Sequence, residues 1–215
     1  MCDEGFPQLL AVRRTGGEGF RDGMTPLGFN LLEFWQWGAS DLISNTFRGR
    51  LAEFLVAKAL LLPDSARNEW DSVDLRDGER SIEVKSSSYL QSWYHKALSK
   101  PCFRIGATRA WDPAKSVMAV ESRRQSDLYV FALLAHRDQT TLDLLDVSQW
   151  EFDVLPTFLL NEQAPNQRQI SLSTLRGKLK ASHCPYSALR ETVDCEWTRV
   201  QEWQRRRDAI NTAVD

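Results

Sequence analysis

Just after Pro63 the hydrophobic pattern of this chain changes period. Before it, "NTFRGRLAEFLVAKALLL" carries Phe47, Leu51, Phe54 and Leu55 at helical spacing, with Asn45 as the expected N-cap. After it, "WDSVDL", "RDGE" and "SIEVKSSS" alternate with period two. They read as a β-hairpin whose two central turn residues are Asp77 and Gly78. A helix that gives way directly to paired strands points to an α/β domain built on a mixed sheet.

The rest of the chain fits that class. Residues 1–24, with "RRTGGEGFRDG", are expected to be irregular, and "LLEFWQWGASDLI" is expected to be a helical, aromatic segment docked on the core. "SYLQSWYHKALS" reads as a loop finishing in a short helix. "SDLYVFALLAH" and "TLDLLDVSQWEFDVLP" read as two apolar strands joined by "RDQT". "SLSTLRGKLK" reads as a strand followed by a helical turn. Residues 196–214 are expected to form an amphipathic C-terminal helix with Trp197, Val200 and Trp203 on one face.

At 215 residues, 42% of them hydrophobic and 26% charged, one domain with a sizeable core is expected. No apolar run approaches the roughly 20 residues of a membrane helix, so no membrane partner is expected. The acids of "MCDEGFPQLL" stand where a secretory signal has bases, which makes the cytoplasm the expected location. Cys2, Cys102, Cys184 and Cys195 lack paired spacing and read as free thiols, and His183-Cys184 fits no common zinc pattern. The net charge of -2 is unevenly spread. Between Arg80 and Arg124 nine bases face three acids, a basic sector suited to a polyanion that docks on one side.

The hairpin carries the chemistry. Alternation puts Ser81, Glu83 and Lys85 on one face and sends Ile82 and Val84 to the core. A turn centred on Asp77-Gly78 brings Asp74 diagonal to Glu83, whereas a three-residue loop would place Asp71 opposite it, so both aspartates are candidates. Converging carboxylates repel unless a cation lies between them, and hard divalent ions take oxygen ligands of this type. A lysine on the same face can stabilise phosphate charge or orient a water. The competing reading is a surface hairpin with an exposed ion-pair ladder.

Asp74, followed after eight residues by "EVK" at Glu83-Val84-Lys85, on a hairpin preceded by a helix bearing an acid, resembles the PD-(D/E)xK superfamily of restriction-endonuclease-like nucleases. The resemblance spans about Asn45 to Trp93, and Val73 stands where the family pattern has proline. It implies a restriction-endonuclease-like core, a central mixed β-sheet flanked by helices, here with an extra C-terminal helix. It also implies Mg2+ or Mn2+ held by Asp74 and Glu83, with Asp71 as alternate to Asp74. Lys85 would assist catalysis, and Glu53 of "RGRLAEFLVAKAL" would be an accessory ligand. The expected activity is hydrolysis of DNA phosphodiester bonds, with RNA the alternative polymer and a homodimer the expected partner for double-strand cleavage. A non-catalytic DNA-binding or scaffolding protein of the same fold is the rival.

Gln91 is a further catalytic candidate just past the motif, and Ser86 and Ser88 are candidates for phosphate contact. Trp93 beside Lys96, Lys100 and Arg104 suits base stacking and phosphate contact. "RRQ" at Arg123 to Gln125 reads as the edge of a cleft or a solvated strand start, and Arg205 to Arg207 as a solvated helix face. Neither a G-x-x-x-x-G-K-[ST] loop nor a G-x-S-x-G elbow occurs, which removes support for nucleotide-driven and serine-hydrolase chemistry.

Overall fold

The structure, a computed structural model, describes residues 9–69, 71–112 and 117–212. Cys2, Lys115 and the last two positions of the expected C-terminal helix lie outside the described residues. In chain order the strands are β1 (Gly19–Asp22), β2 (Thr25–Asn30), β3 (Leu75–Asp77), β4 (Arg80–Ser88), β5 (Cys102–Arg104), β6 (Thr108–Asp112), β7 (Val117–Arg123), β8 (Leu128–Leu134), β9 (Trp150–Pro156), β10 (Gln169–Ser171) and β11 (Ser182–Cys184). The helices are α1 (Leu31–Ala39), α2 (Asn45–Ala59), α3 (Thr157–Gln163), α4 (Leu172–Gly177) and α5 (Leu189–Thr212). The fold is mixed α/β. Its central sheet has the order β11-β9-β8-β4-β3, with β4 and β8 parallel and the other neighbours antiparallel.

Strand β8, "LYVFALL", is buried at every position, as a central strand covered on both faces must be. Its alternate residues feed two cores. Leu128, Val130, Ala132 and Leu134 join Ile82 and Val84 of β4 under α2 and α5. Tyr129, Phe131 and Leu133 join Phe103 of β5, Leu160 of α3 and Leu175 of α4. Each Leu or Phe fully removed from water contributes about 1.5–3 kcal/mol, so these two layers dominate stability. Arg124 ties the second layer to its loops. It is buried and donates to the carbonyls of Ile105, Ala164 and Gln167 and to Asn161 Oδ1. It is therefore an internal clamp, and the reading of "RRQ" as a solvated strand start fails at this residue.

Several expectations are corrected. The segment before residue 24 is not wholly irregular, because β1 pairs with β2. Helix α1 has no buried residue, and Phe34, Trp35 and Trp37 are exposed rather than docked on the core. The N-cap of α2 is Ser44, one residue before Asn45. Its buried face is Arg48, Ala52, Leu55 and Val56, rotated from the expected stripe, and Phe54 is exposed. No helix forms between Leu90 and Pro101. Strand β9 starts only at Trp150, so β8 and β9 are joined by residues 135–149 rather than by a tight turn. Strand β10 running into α4 matches the reading of "SLSTLRGKLK", and α5 starts at Leu189, before the expected boundary. Among the described residues no helix is long and apolar enough to cross a membrane.

Candidate active site and its groove

The hairpin turn sits one residue later than expected. Asp77 pairs with Arg80, Arg76 with Ser81 and Leu75 with Ile82, which leaves Gly78 and Glu79 as the turn. Gly78 adopts φ +60° and is the first central residue, where a II′ hairpin requires glycine. Extending this register puts Asp74 directly across from Glu83, one position closer than the diagonal. Strand β3 has ended by then. The Val84 N–H, with no strand partner beyond Leu75, donates instead to Asp74 Oδ2 at 2.8 Å. A main-chain bond thus fixes the carboxylate at the open edge of β4.

The alternation of β4 holds: Ile82 and Val84 are buried, while Glu83 and Lys85 are half-buried. Lys85 Nζ makes an ion pair with Glu83 Oε1 and lies 3.7 Å from Asp74 Oδ2. Glu83 Oε2 accepts a hydrogen bond from Ser126 Oγ at 3.2 Å. Asp74, Glu83 and Lys85 therefore come together as one cluster. Glu53 approaches from α2. Its Oε2 accepts from Arg67 Nε at 2.5 Å, and Arg67 Nη2 lies 3.9 Å from Asp74 Oδ1. Asp71 is held apart by Arg76, whose Nη2 and Nε donate to its two oxygens at 2.8 and 3.2 Å.

Burial pushes the Glu83 carboxyl above its ordinary range, and the charge of Asp74 adds to the shift against the pull of Lys85. Glu53 is raised for the same first reason, with Arg67 opposing and Asp74 reinforcing. For Lys85 burial acts downward, but Glu83, Asp74 and Glu53 outweigh it and leave the ammonium firmly charged. Tyr129, the β8 residue paired with Glu83, has its phenol pushed upward by burial and by that carboxylate.

A groove of about 670 Å³ runs along β4 from the start of α2 to β5. Glu53, Lys85, Ser86, Gln91, Trp93, Lys100 and Arg104 line it. Gln91 donates through Nε2 to the Ser88 carbonyl at 3.0 Å, and Trp93 is 55% exposed. Ser88 is fully buried, with its Oγ accepting the Leu90 N–H, so its hydroxyl braces the strand end. Lys96 is exposed but does not line this groove. Cys102, Cys184 and Cys195 are free thiols.

Two residues of the site escape a reading of spacing. Arg67 lies in the irregular segment after α2, where no periodicity points to it. Ser126 reaches Glu83 from just before β8. Arg48 did leave a signal: it falls on the same helical stripe as Ala52, Leu55 and Val56.

Among the described residues no group of three or more His, Cys, Asp or Glu side chains is drawn together around a common centre. The reason is visible in the ion pairs: Arg67 lies between Glu53 and Asp74, and Lys85 between Glu83 and Asp74. The donor chemistry nevertheless suits a hard divalent cation, since the clustered acids offer only oxygen and two of them are raised by crowding and burial. No protein-family model matches the chain, and comparisons with curated proteins and with solved structures found no match.

Proposed function

We propose that the chain is a metal-dependent nuclease of the PD-(D/E)xK type that hydrolyses DNA phosphodiester bonds, with a restriction-endonuclease-like core. The observation that carries this reading is the convergence of Asp74, Glu83 and Lys85 at the free edge of β4, secured by the Val84 N–H to Asp74 bond. Asp74 and Glu83 would hold Mg2+ or Mn2+, with Glu53 assisting. A divalent ion bound there would supply charge neutralisation at the phosphate and lower the pKa of a bound water. Lys85, kept charged by its carboxylate neighbours, places an ammonium where phosphate charge grows. Gln91, Ser86 and Trp93 line the adjoining groove, where the polymer would lie, and Lys100 and Arg104 add charge.

The decisive experiment is nicking of supercoiled plasmid DNA by the purified protein with Mg2+, Mn2+ or EDTA. Nicking that needs metal and falls by at least about a hundredfold in both Glu83→Gln and Lys85→Ala supports the reading. Cleavage in EDTA, or cleavage indifferent to both substitutions, overturns it.

One observation favours a second reading, a non-catalytic DNA-binding or scaffolding protein. Arg67 already occupies the space between Glu53 and Asp74 and supplies the positive charge that a metal would otherwise bring. Retention of DNA without cleavage under every metal condition would select that reading.

A further inference from the structure

Arg48 is 4% exposed, yet no carboxylate pairs with it among the described residues. Its Nη1 donates to the Ile43 carbonyl at 3.2 Å and its Nη2 to Asn45 Oδ1 at 2.7 Å, both neutral acceptors. Its Nε is buried without any hydrogen-bond partner. Burying a guanidinium with no counter-charge is costly, and an idle donor adds to the cost. The location makes matters worse. Arg48 belongs to the first turns of the 15-residue α2, where the helix dipole is positive and a cation is disfavoured.

The groove supplies the context. Arg48, Asn45 and Gly49 line it at the α2 end, and the exposed Lys100 and Arg104 line the same groove. Counting Lys85, four cations line the groove against the single carboxylate of Glu53. Asn45 links the buried charge to the surface. Arginine has only donors, so the amide atom facing it must be oxygen, which leaves Nδ2 of the exposed Asn45 as a donor. A helix start, a buried guanidinium with no counter-charge and an idle Nε, and an oriented amide together form a receptor for a tetrahedral oxyanion.

We propose that the α2 end of the groove is a phosphate-binding site, in which Asn45 Nδ2, Lys100 and Arg104 contact the anion and Arg48 supplies the buried charge behind them. Arg48 is a positioning residue here, because it acts through the amide it orients. The site deepens the nuclease reading by assigning the grip on a phosphate at a distance from the carboxylates, and it rests on that reading only for the identity of the polymer.

The test is binding in EDTA, so that it does not depend on cleavage. A fluorescein-labelled 16-base-pair DNA duplex is titrated across a salt series, with inorganic phosphate as a competing probe. Asn45→Asp puts a carboxylate at the helix start, where the dipole favours it, and beside Arg48. The expected result is an unchanged or higher melting temperature with duplex affinity lowered about tenfold and the slope of log K against log salt reduced by about one. Arg48→Gln should weaken both probes likewise. If that variant fails to fold, Asn45→Asp carries the test alone.

Duplex binding by Asn45→Asp equal to that of the unaltered protein overturns the site, as does failure of the unaltered protein to bind either probe. Saturable binding of phosphate without duplex binding keeps the site and removes the polymer. Loss of nicking with these affinities intact would count against the nuclease reading alone.

Discussion

Asp74 Oδ2 accepts the main-chain N–H of Val84 at 2.8 Å while lying 3.7 Å from Lys85 Nζ. One carboxylate thus closes a strand edge and belongs to the charged cluster. The two duties separate by substitution. Asp74→Asn keeps an acceptor for Val84 and should unfold within about 0.5 kcal/mol of the unaltered protein, whereas Asp74→Ala orphans that N–H and should cost about 1–3 kcal/mol. Both should lose metal-dependent nicking. Urea unfolding set beside the plasmid assay reads the difference.

Arg67 competes with any cation for Glu53 and Asp74. Arg67→Ala should tighten Mn2+ binding severalfold, by about 1 kcal/mol, since an ion pair at a partly exposed site is worth no more. Calorimetric titration with Mn2+ checks it. Weaker binding in the variant would mean that Arg67 supports the site.

Glu53 has a carboxyl raised above its ordinary value of 4.5, with burial the largest cause. The folded chain therefore binds its proton at pH values where the unfolded chain has released it. Stability falls as pH rises from 4.5 through the raised value, and the loss is complete above it. Glu53→Gln should flatten this descent, with its gain over the unaltered protein present at neutral pH and gone below 4.5. Denaturant midpoints measured from pH 4 to pH 8 test the sign.

Arg124 joins Ile105, Asn161, Ala164 and Gln167, all outside the central sheet. Arg124→Met would strand several buried acceptors and should cost at least about 3 kcal/mol. Hydrogen exchange should accelerate first around Ile105 and Gln167, leaving β8 protected.

The hairpin was legible because both of its signals are local. Strand alternation placed Glu83 and Lys85 opposite Ile82 and Val84, and the burial of β4 follows that pattern. The turn slipped by one residue because Asp77-Gly78 and Gly78-Glu79 both put glycine at a position allowing positive φ, and only pairing with β4 decides between them. The exposure of α1 was not legible, since "LLEFWQW" has the composition of a buried helix and nothing local states whether a core lies beneath it. Arg67 and Ser126 reach the site through tertiary approach, which leaves no period in the sequence. The α2 stripe does not follow from its apolar residues alone. Arg48, polar in type, is on the buried face, and Phe54 is not.

The parallel pairing of β4 with β8 obliges the chain to make one long excursion, residues 89–127, and Lys100, Arg104 and the β6–β7 ribbon all ride on it. Its returning end is tied to the start of β4, where the Asp127 N–H donates to the Ser81 carbonyl at 2.9 Å. The acids and Lys85 lie outside that excursion. Much of the groove's wall is thereby encoded apart from the acids and Lys85, in one contiguous stretch that still touches the reactive edge where Ser126 donates to Glu83.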